Sequence, residues 1–318
     1  MGKGKDNILS RAVYAIVYGL LRAFALLPLG AMYLFSDIVY VILYYVVRYR
    51  RKVVLSNLTQ CFPDKDAAQL HKIMRRFYRN FADYIFETVK LLHISDKTIR
   101  RRMTFSNVAI MDDAVAAGRD VVVYFSHIGN WEWAPSVRLW SREAHNVSVV
   151  FGQIYRPLRN KVFDRLMLRI RSRFDTDSIP KNIALRRLVG IVRADIRFVV
   201  GFMSDQKPSH GDPERVVKFF GRPTAVITGT ETLASRMGCT AVYWHFEKKS
   251  RGHYHINVVP MSENASAQAP GTLTAMYFRL LQQNITEQPS LWLWTHKRWK
   301  TSPRTWGEVN PDTIISHE

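Results

Sequence analysis

Val121-Val122-Val123-Tyr124-Phe125-Ser126-His127-Ile128-Gly129-Asn130-Trp131-Glu132 reads as a short apolar strand that runs into a histidine, with a carboxylate five residues further on. This is where an α/β protein presents chemistry. Five steps along a helix rotate a side chain by roughly 500°, so His127 and Glu132 do not share a helical face and can meet only across a turn. Gly129 and Asn130 suit that turn, since glycine tolerates positive φ and asparagine caps well. A helix is predicted over Trp131 to Arg142, its start blurred by Pro135, which fits a first turn and not an interior. A lone His-x4-Glu is more often a satisfied turn histidine than a catalytic one, and the rest of the chain has to decide.

The 318 residues suffice for a large core, in one big domain or two smaller ones, and the 47% apolar content excludes disorder as a global description. Lys plus Arg outnumber Asp plus Glu by 46 to 26, a formal net charge of +20. Such an excess predicts an anionic partner: nucleic acid, an anionic membrane surface, an acidic protein or a phosphorylated lipid. Cys61 and Cys239 form neither a disulfide framework nor a zinc spacing and read as buried, reduced thiols.

The N-terminus narrows the choice. Two apolar runs, Ala12 to Leu21 and Ala31 to Val47, are separated by Arg22 and the Leu27-Pro28-Leu29-Gly30 turn. Neither reaches the ~20 apolar residues of a comfortable span, and Asp37 interrupts the second. No small-residue cleavage site follows the first. Lys3, Lys5 and Arg11 precede the runs, and Arg48, Arg50, Arg51 and Lys52 follow them. Basic flanks on both sides favour the cytoplasm and fit a hairpin or interfacial anchor better than one clean span. Residues 1–52 are therefore read as an N-terminal hydrophobic membrane anchor, 53–302 as the catalytic domain and 303–318 as a tail.

From Ser56 to Arg102 the pattern is helical and basic, with Phe77, Phe81, Tyr84, Ile85, Thr88 and Leu91 at three- and four-residue steps. From about Met103 it becomes α/β. Strands are predicted at Val121 to Phe125, Val147 to Gly152, Phe198 to Phe202, Thr240 to Phe246 and Tyr254 to Val259. Helices are predicted at Leu158 to Phe174, Ala184 to Asp195, Thr228 to Met237 and Leu273 to Glu287. The fold class is α/β, a central mostly parallel or mixed sheet flanked by helices. No repeat is visible, and Ser262 to Pro270 reads as a surface loop.

Two further groups follow strands. Tyr155-Arg156-Pro157 sits beyond one, where an arginine fork can hold a phosphate or an anionic transition state, though a helix-flanking surface arginine is an even alternative. Asp205-Gln206-Lys207 follows another. Carboxyl ends of neighbouring strands converge in open α/β sheets, so His127, Arg156 and Asp205 can surround one cleft. The GxxxxGK[ST], GxGxxG and GxSxG patterns are absent, which removes the usual support for nucleotide hydrolysis, dinucleotide binding and α/β-hydrolase chemistry. His253 and His255 alternate along a strand and are better read as polar faces than as metal ligands. No metal site and no cofactor is expected.

Four blocks, in order, carry a family resemblance: Ser126-His127-Ile128-Gly129-Asn130-Trp131-Glu132; Tyr155-Arg156-Pro157-Leu158-Arg159-Asn160; Asp205-Gln206 leading to Val217-Lys218-Phe219-Phe220-Gly221-Arg222-Pro223-Thr224; and Trp292-Leu293-Trp294-Thr295-His296-Lys297-Arg298-Trp299-Lys300. The chain resembles the bacterial lipid A late acyltransferases, the lauroyl and myristoyl transferases of lipopolysaccharide synthesis, within the glycerolipid acyltransferase superfamily. The match runs to about Lys300. The superfamily's usual carboxylate is aspartate, and glutamate at Glu132 is similar to the lipid A branch. Pro208 to Glu214 does not match closely.

The resemblance implies a glycerolipid acyltransferase-like fold, an anchor in the inner membrane with the catalytic domain on its cytoplasmic face, and transfer of a fatty acyl group from acyl carrier protein, or acyl-CoA, to a hydroxyl of a phosphorylated lipid acceptor. On this reading His127 is the general base and Glu132 orients its ring. Arg156 and backbone amides of the Ile128 to Asn130 turn stabilise the oxyanion, with Gly129, Asn130 and Tyr155 around them. Asp205 positions Arg156 or the acceptor. Arg159, Lys297, Arg298 and Lys300 are assigned to headgroup or carrier-protein contacts, Trp294 and Trp299 suiting an interface. Tryptophans packed inward are an even alternative there. Two other functions stay open: acylation of another membrane lipid, such as an amino-acid lipid or a lysophospholipid, and a non-enzymatic basic membrane-peripheral binding protein. Nucleic acid is not an expected partner, since no recognition motif for it is present.

Overall fold

The computed structural model describes residues 8–208, 215–299 and 314–315. In chain order the elements are α1 (Ile8–Phe24), α2 (Leu29–Val41) with a π-helical extension Ile42–Val46, α3 (Arg51–Cys61), α4 (Ala67–Lys90), α5 (Asp96–Arg102), β1 (Met103–Ser106), α6 (Ala109–Ala116), β2 (Val121–Phe125), β3 (Val149–Tyr155), α7 (Lys161–Arg171), β4 (Asp177–Pro180), α8 (Ala184–Arg193), β5 (Arg197–Met203), β6 (Arg215–Phe219), β7 (Arg222–Val226), α9 (Gly229–Met237), β8 (Thr240–Ser250), β9 (His253–Ser262), α10 (Thr272–Glu287) and β10 (Ile314–Ile315).

Seven strands form one sheet in the order β1-β9-β8-β2-β5-β3-β4, parallel throughout except for the antiparallel β8–β9 pair. The predicted mixed α/β sheet is what the chain builds. All five residues of β2 are buried, which its central place requires: both faces of a mostly parallel sheet are covered by helices, so the strand carries no polar alternation. The chain works outward from β2 to β3 and β4, returns to β5, then crosses to β8 on the other side of β2. The crevice at such a reversal, beyond the carboxyl ends of the strands, is where open α/β sheets hold their ligands.

The predicted helix over Trp131 to Arg142 is instead a tight turn followed by a 3₁₀ segment, Ala134–Trp140. Pro135 lies in its first turn, and Trp131 to Val137 are all buried, leaving no solvent face for an amphipathic helix. The chain then ends against α6, where Ser141 Oγ and the Arg142 amide donate to Asp112. Strands β1, β4, β6 and β7 are too short or too polar to announce themselves by alternation.

The N-terminal helices are joined by a short turn, and Leu29–Val46 is long and apolar enough, by length and composition, to cross a membrane. One side of this segment is already occupied. Tyr33 hydroxyl donates to Glu87 at 2.8 Å, Ser36 Oγ to Asp83 at 2.7 Å, and Asp37 pairs with Arg251 at 2.8 Å; Arg251 also holds Asp83. The other side exposes Leu34, Phe35, Ile38, Val41 and Ile42. The segment is thus docked on α4 and the β8–β9 turn through polar contacts while presenting an apolar stripe outward.

Candidate active site

Register in the sheet makes the site. Strands β2 and β5 pair in parallel with Phe125 opposite Met203, so two residues beyond each strand end, His127 and Asp205 arrive at the same level. Close approach of the strands is permitted by Gly201, where a Cβ would lie 2.7 Å from the Phe125 ring. Asp205 Oδ1 lies 2.8 Å from His127 Nδ1, and the second carboxylate oxygen accepts from the His127 amide at 3.1 Å and from the Trp292 indole at 2.9 Å. Asp205 is buried. Burial alone would raise its carboxyl, but the neighbouring His127 and these hydrogen bonds prevail and hold it down at about 2.

An ionised Asp205 accepts a hydrogen bond from Nδ1–H, which leaves His127 Nε2 as the lone-pair nitrogen. That nitrogen faces the Gln206 side-chain amide at 3.4 Å, and His127 remains partly open to solvent. The Trp131 ring stands edge-on to the imidazole, at 5.1 Å between centroids. The C-terminal segment closes the back: Leu293 donates its amide to the His127 carbonyl, Gly129 donates to the Leu291 carbonyl, and Ile128 bridges Trp292.

The carboxylate on His127 is therefore Asp205, and this corrects the expected pairing with Glu132. Glu132 is buried and faces Arg171, whose Nε and Nη2 donate to its two oxygens at 2.9 and 2.6 Å. The turn from Gly129 (φ 62°) to Trp133 carries Glu132 toward α7 instead of back to the imidazole. Burial works against the Arg171 cation, yet the Glu132 carboxylate raises the guanidinium above its ordinary value. The Tyr155 ring lies 6.0 Å from that guanidinium.

Arg156 is not the arginine at this pair. It is exposed at the end of β3 and makes no hydrogen bond or ion pair among the described residues. Arg159 is also exposed. Arg171 lay unrecognised among the five basic residues from Lys161 to Arg173. A helical wheel could have found it: Arg165, Arg169 and Arg173 share one face, and Arg171 points away from them.

The backbone amides assigned to the oxyanion are in part spent. Ile128 donates to the Ser126 carbonyl and Gly129 to Leu291. Asn130 is a buried support: its side-chain oxygen accepts from the Trp133 amide and its nitrogen donates to Glu87 at 2.7 Å. Glu87, raised by burial, also accepts from Tyr254 and Tyr33, so this network connects the motif turn to α2 and α4.

At the C-terminal block the tryptophans pack inward. Trp292 and Trp294 are buried, and so is Arg298, whose Nη2 donates to the Ala225 carbonyl. Arg298 is thus structural and not an interface contact; burial lowers it to about 10. Lys297 is exposed, while Lys300 lies outside the described residues.

A cavity of about 410 Å³ opens beside the residue that precedes Asp205. Ile154, Leu185, Phe202, Met203, Ile227 and Leu233 line it together with Ser204 and Gly229, and Lys181 and Arg236 supply its positive charge. Its size and apolar walls are those of a small-molecule or lipid-tail site.

The chain's residues 3–301 match the family described as bacterial lipid A biosynthesis acyltransferase. Among characterised proteins it is similar to the lipid A biosynthesis palmitoleoyltransferase of Escherichia coli (strain K12), 22% identical over 80% of each chain. It is 23% identical to the lipid A biosynthesis lauroyltransferase of the same strain, again over 80% of each. It is also 23% identical to a phosphatidylinositol mannoside acyltransferase of Mycobacterium tuberculosis (strain ATCC 25618 / H37Rv), over 76% of this chain and 75% of that one. With the match spanning nearly its whole length, the chain belongs to the bacterial lipid A biosynthesis acyltransferase family and is an acyltransferase.

Proposed function

We propose that the protein transfers a fatty acyl group from the thioester of acyl carrier protein, or of coenzyme A, to a hydroxyl of a lipid A precursor. The single observation that carries the mechanism is the buried Asp205 on His127 Nδ1, which leaves the lone pair on Nε2. Nε2 takes the proton of the acceptor hydroxyl as that oxygen attacks the thioester carbonyl. Asp205 holds the tautomer and stabilises the imidazolium. The oxyanion accepts from Arg171 Nη1, the terminal nitrogen that Glu132 does not engage. Collapse of the tetrahedral adduct breaks the carbon–sulfur bond, and the imidazolium proton goes to the departing thiolate. No residue is acylated. The cavity beside Ser204 receives the acyl chain.

Reading the exposed stripe of α2 together with the excess of cations, we place the protein at the cytoplasmic face of the inner membrane, with the 1–52 segment as its anchor. Acyl carrier protein is acidic, and the phosphorylated acceptor is anionic, so both suit a +20 chain. The test is acyl transfer by membranes carrying His127→Ala. Activity should fall by about 10²–10⁴-fold, and an unchanged rate would overturn the assignment. The mycobacterial relative supports a second acceptor, a different membrane lipid. Lipid profiling of a deletion strain separates the two.

A further inference from the structure

On the far side of α7 from Glu132 lies a cavity of about 390 Å³ that the catalytic reading does not use. Residues Tyr14, Tyr18 and Arg22 follow one another at four-residue steps on α1, and Arg165, Arg169 and Arg173 do the same along α7 and the turn after it. The two rows face each other. Arg165 stacks on Tyr14 at 4.4 Å, and the Tyr18 hydroxyl accepts from Arg22 at 3.5 Å with Arg169 beside it; the neighbouring guanidinium groups hold that hydroxyl below its ordinary value. Beyond that point the rows open into the cavity, whose lining includes Arg22, Arg169, Arg173, His93 and Ser95 and contains no carboxylate.

Charge is unbalanced here. Arg173 is held by the Ile94 carbonyl and by Asp96, just outside the cavity, but Arg22 and Arg169 have no carboxylate partner among the described residues. Two guanidinium forks converging on one hydroxyl repel unless an anion joins them. A planar fork suits phosphate, which accepts two parallel hydrogen bonds from each. The face of α1 opposite Tyr14, Tyr18 and Arg22 exposes Val13, Ile16 and Leu20, so the helix that walls the cavity carries an apolar surface on its other side. A lipid headgroup satisfies both conditions, with its phosphate between the helices while the apolar face of α1 rests against the surrounding bilayer.

We infer that the cleft between α1 and α7 binds the phosphomonoester headgroup of a membrane lipid, with Arg22 and Arg169 as its principal ligands. The inference goes beyond the acyl-transfer reading and does not depend on His127.

The experiment measures binding of the full chain to vesicles by co-flotation. Vesicles of phosphatidylcholine are doped with phosphatidic acid or, at matched surface potential, with phosphatidylglycerol, whose phosphate is a diester. The expected result is tighter binding to the phosphatidic acid vesicles. This preference should drop by about 30-fold in Arg22→Gln/Arg169→Gln, as removal of two cations at about fivefold each implies. Arg193→Gln, an arginine elsewhere on the surface, should leave it unchanged. Tyr18→Phe, which removes only the shared hydroxyl, should weaken it several-fold and guards against a folding defect in the double variant. Equal binding to both vesicle types, or an equal loss with Arg193→Gln, would overturn the inference in favour of diffuse surface attraction. Inorganic phosphate at low millimolar concentration abolishing vesicle binding would overturn the lipid source and indicate a free-anion site. Normal acyl transfer by His127→Ala would leave all these outcomes intact, so the two readings fail separately.

Discussion

Asp205 Oδ1 accepts a hydrogen bond from His127 Nδ1 at 2.8 Å although the two residues are 78 positions apart, because Phe125 and Met203 are register partners in adjacent parallel strands. The pair is built by the sheet, and both members sit on strand ends that the core holds rigid. On the proposed mechanism, a histidine oriented in this way already presents Nε2 as the base.

Asp205→Asn should therefore abolish most activity while keeping the fold. An amide can donate to Nδ1 and so favours the tautomer with the proton on Nε2, the wrong nitrogen for a base. We expect a fall of about 10²–10⁴-fold in kcat with little change in KM. A variant with full kcat would remove Asp205 from the mechanism.

Acid stability should carry the signature of the same carboxylate. Its pKa in the fold is about 2, below the ordinary 3.8, so ionised Asp205 contributes stability that is present above about pH 4 and is lost as the pH falls toward 2. The contribution is about 2 kcal/mol. Between these pH values the unfolding free energy of the wild type should fall more steeply than that of Asp205→Asn, measured by denaturant titration at each pH. Parallel slopes would contradict the assignment.

Arg171 and Glu132 should behave as one unit. Arg171→Ala strands a buried carboxylate and should cost about 3–5 kcal/mol of stability. Arg171→Lys keeps a charge but loses the fork, and its kcat should fall ~100-fold or more. In a double-mutant cycle with Glu132→Gln the losses should be strongly non-additive. Additive losses would mean that the ion pair does not present Arg171 to the reaction.

The cavity beside Ser204 should set acyl chain length. At Gly229 a side chain would meet nothing within 4 Å, so Gly229→Leu can project into the cavity without displacing backbone. Transfer of long chains should fall by roughly tenfold relative to short ones, since loss of about two buried methylenes costs about 1.6 kcal/mol. Competition between donors of different length reads the ratio. An unchanged preference would place the acyl chain elsewhere.

Much of the fold was legible because its physical causes are local. The apolar run Val121 to Phe125 declared a buried strand, β5, β8 and β9 were recognisable by length and β-branched content, and the last long helix by its period. His127 was legible as well, since a histidine at the carboxyl end of a central strand faces the crevice whatever the loops do. Its partner was not. Glu132 is near in sequence, but a left-handed glycine and a short turn send it to α7, and no periodicity reveals where such a turn ends. Nor could Arg171 be singled out among neighbouring arginines, because one face of α7 differs from the other only once Glu132 and α1 are in place.

The amino-acid sequence by itself determined the sheet, the apolar N-terminus, the excess of cations and the position of the strand-end histidine, all consequences of side-chain chemistry along short stretches. Only tertiary structure decided which carboxylate holds that histidine, which arginine holds Glu132 and which of the described arginines lack a carboxylate partner. Those choices depend on strand register and helix packing over separations of 39 to 78 residues, where distance in space is set by the fold and not by distance along the chain.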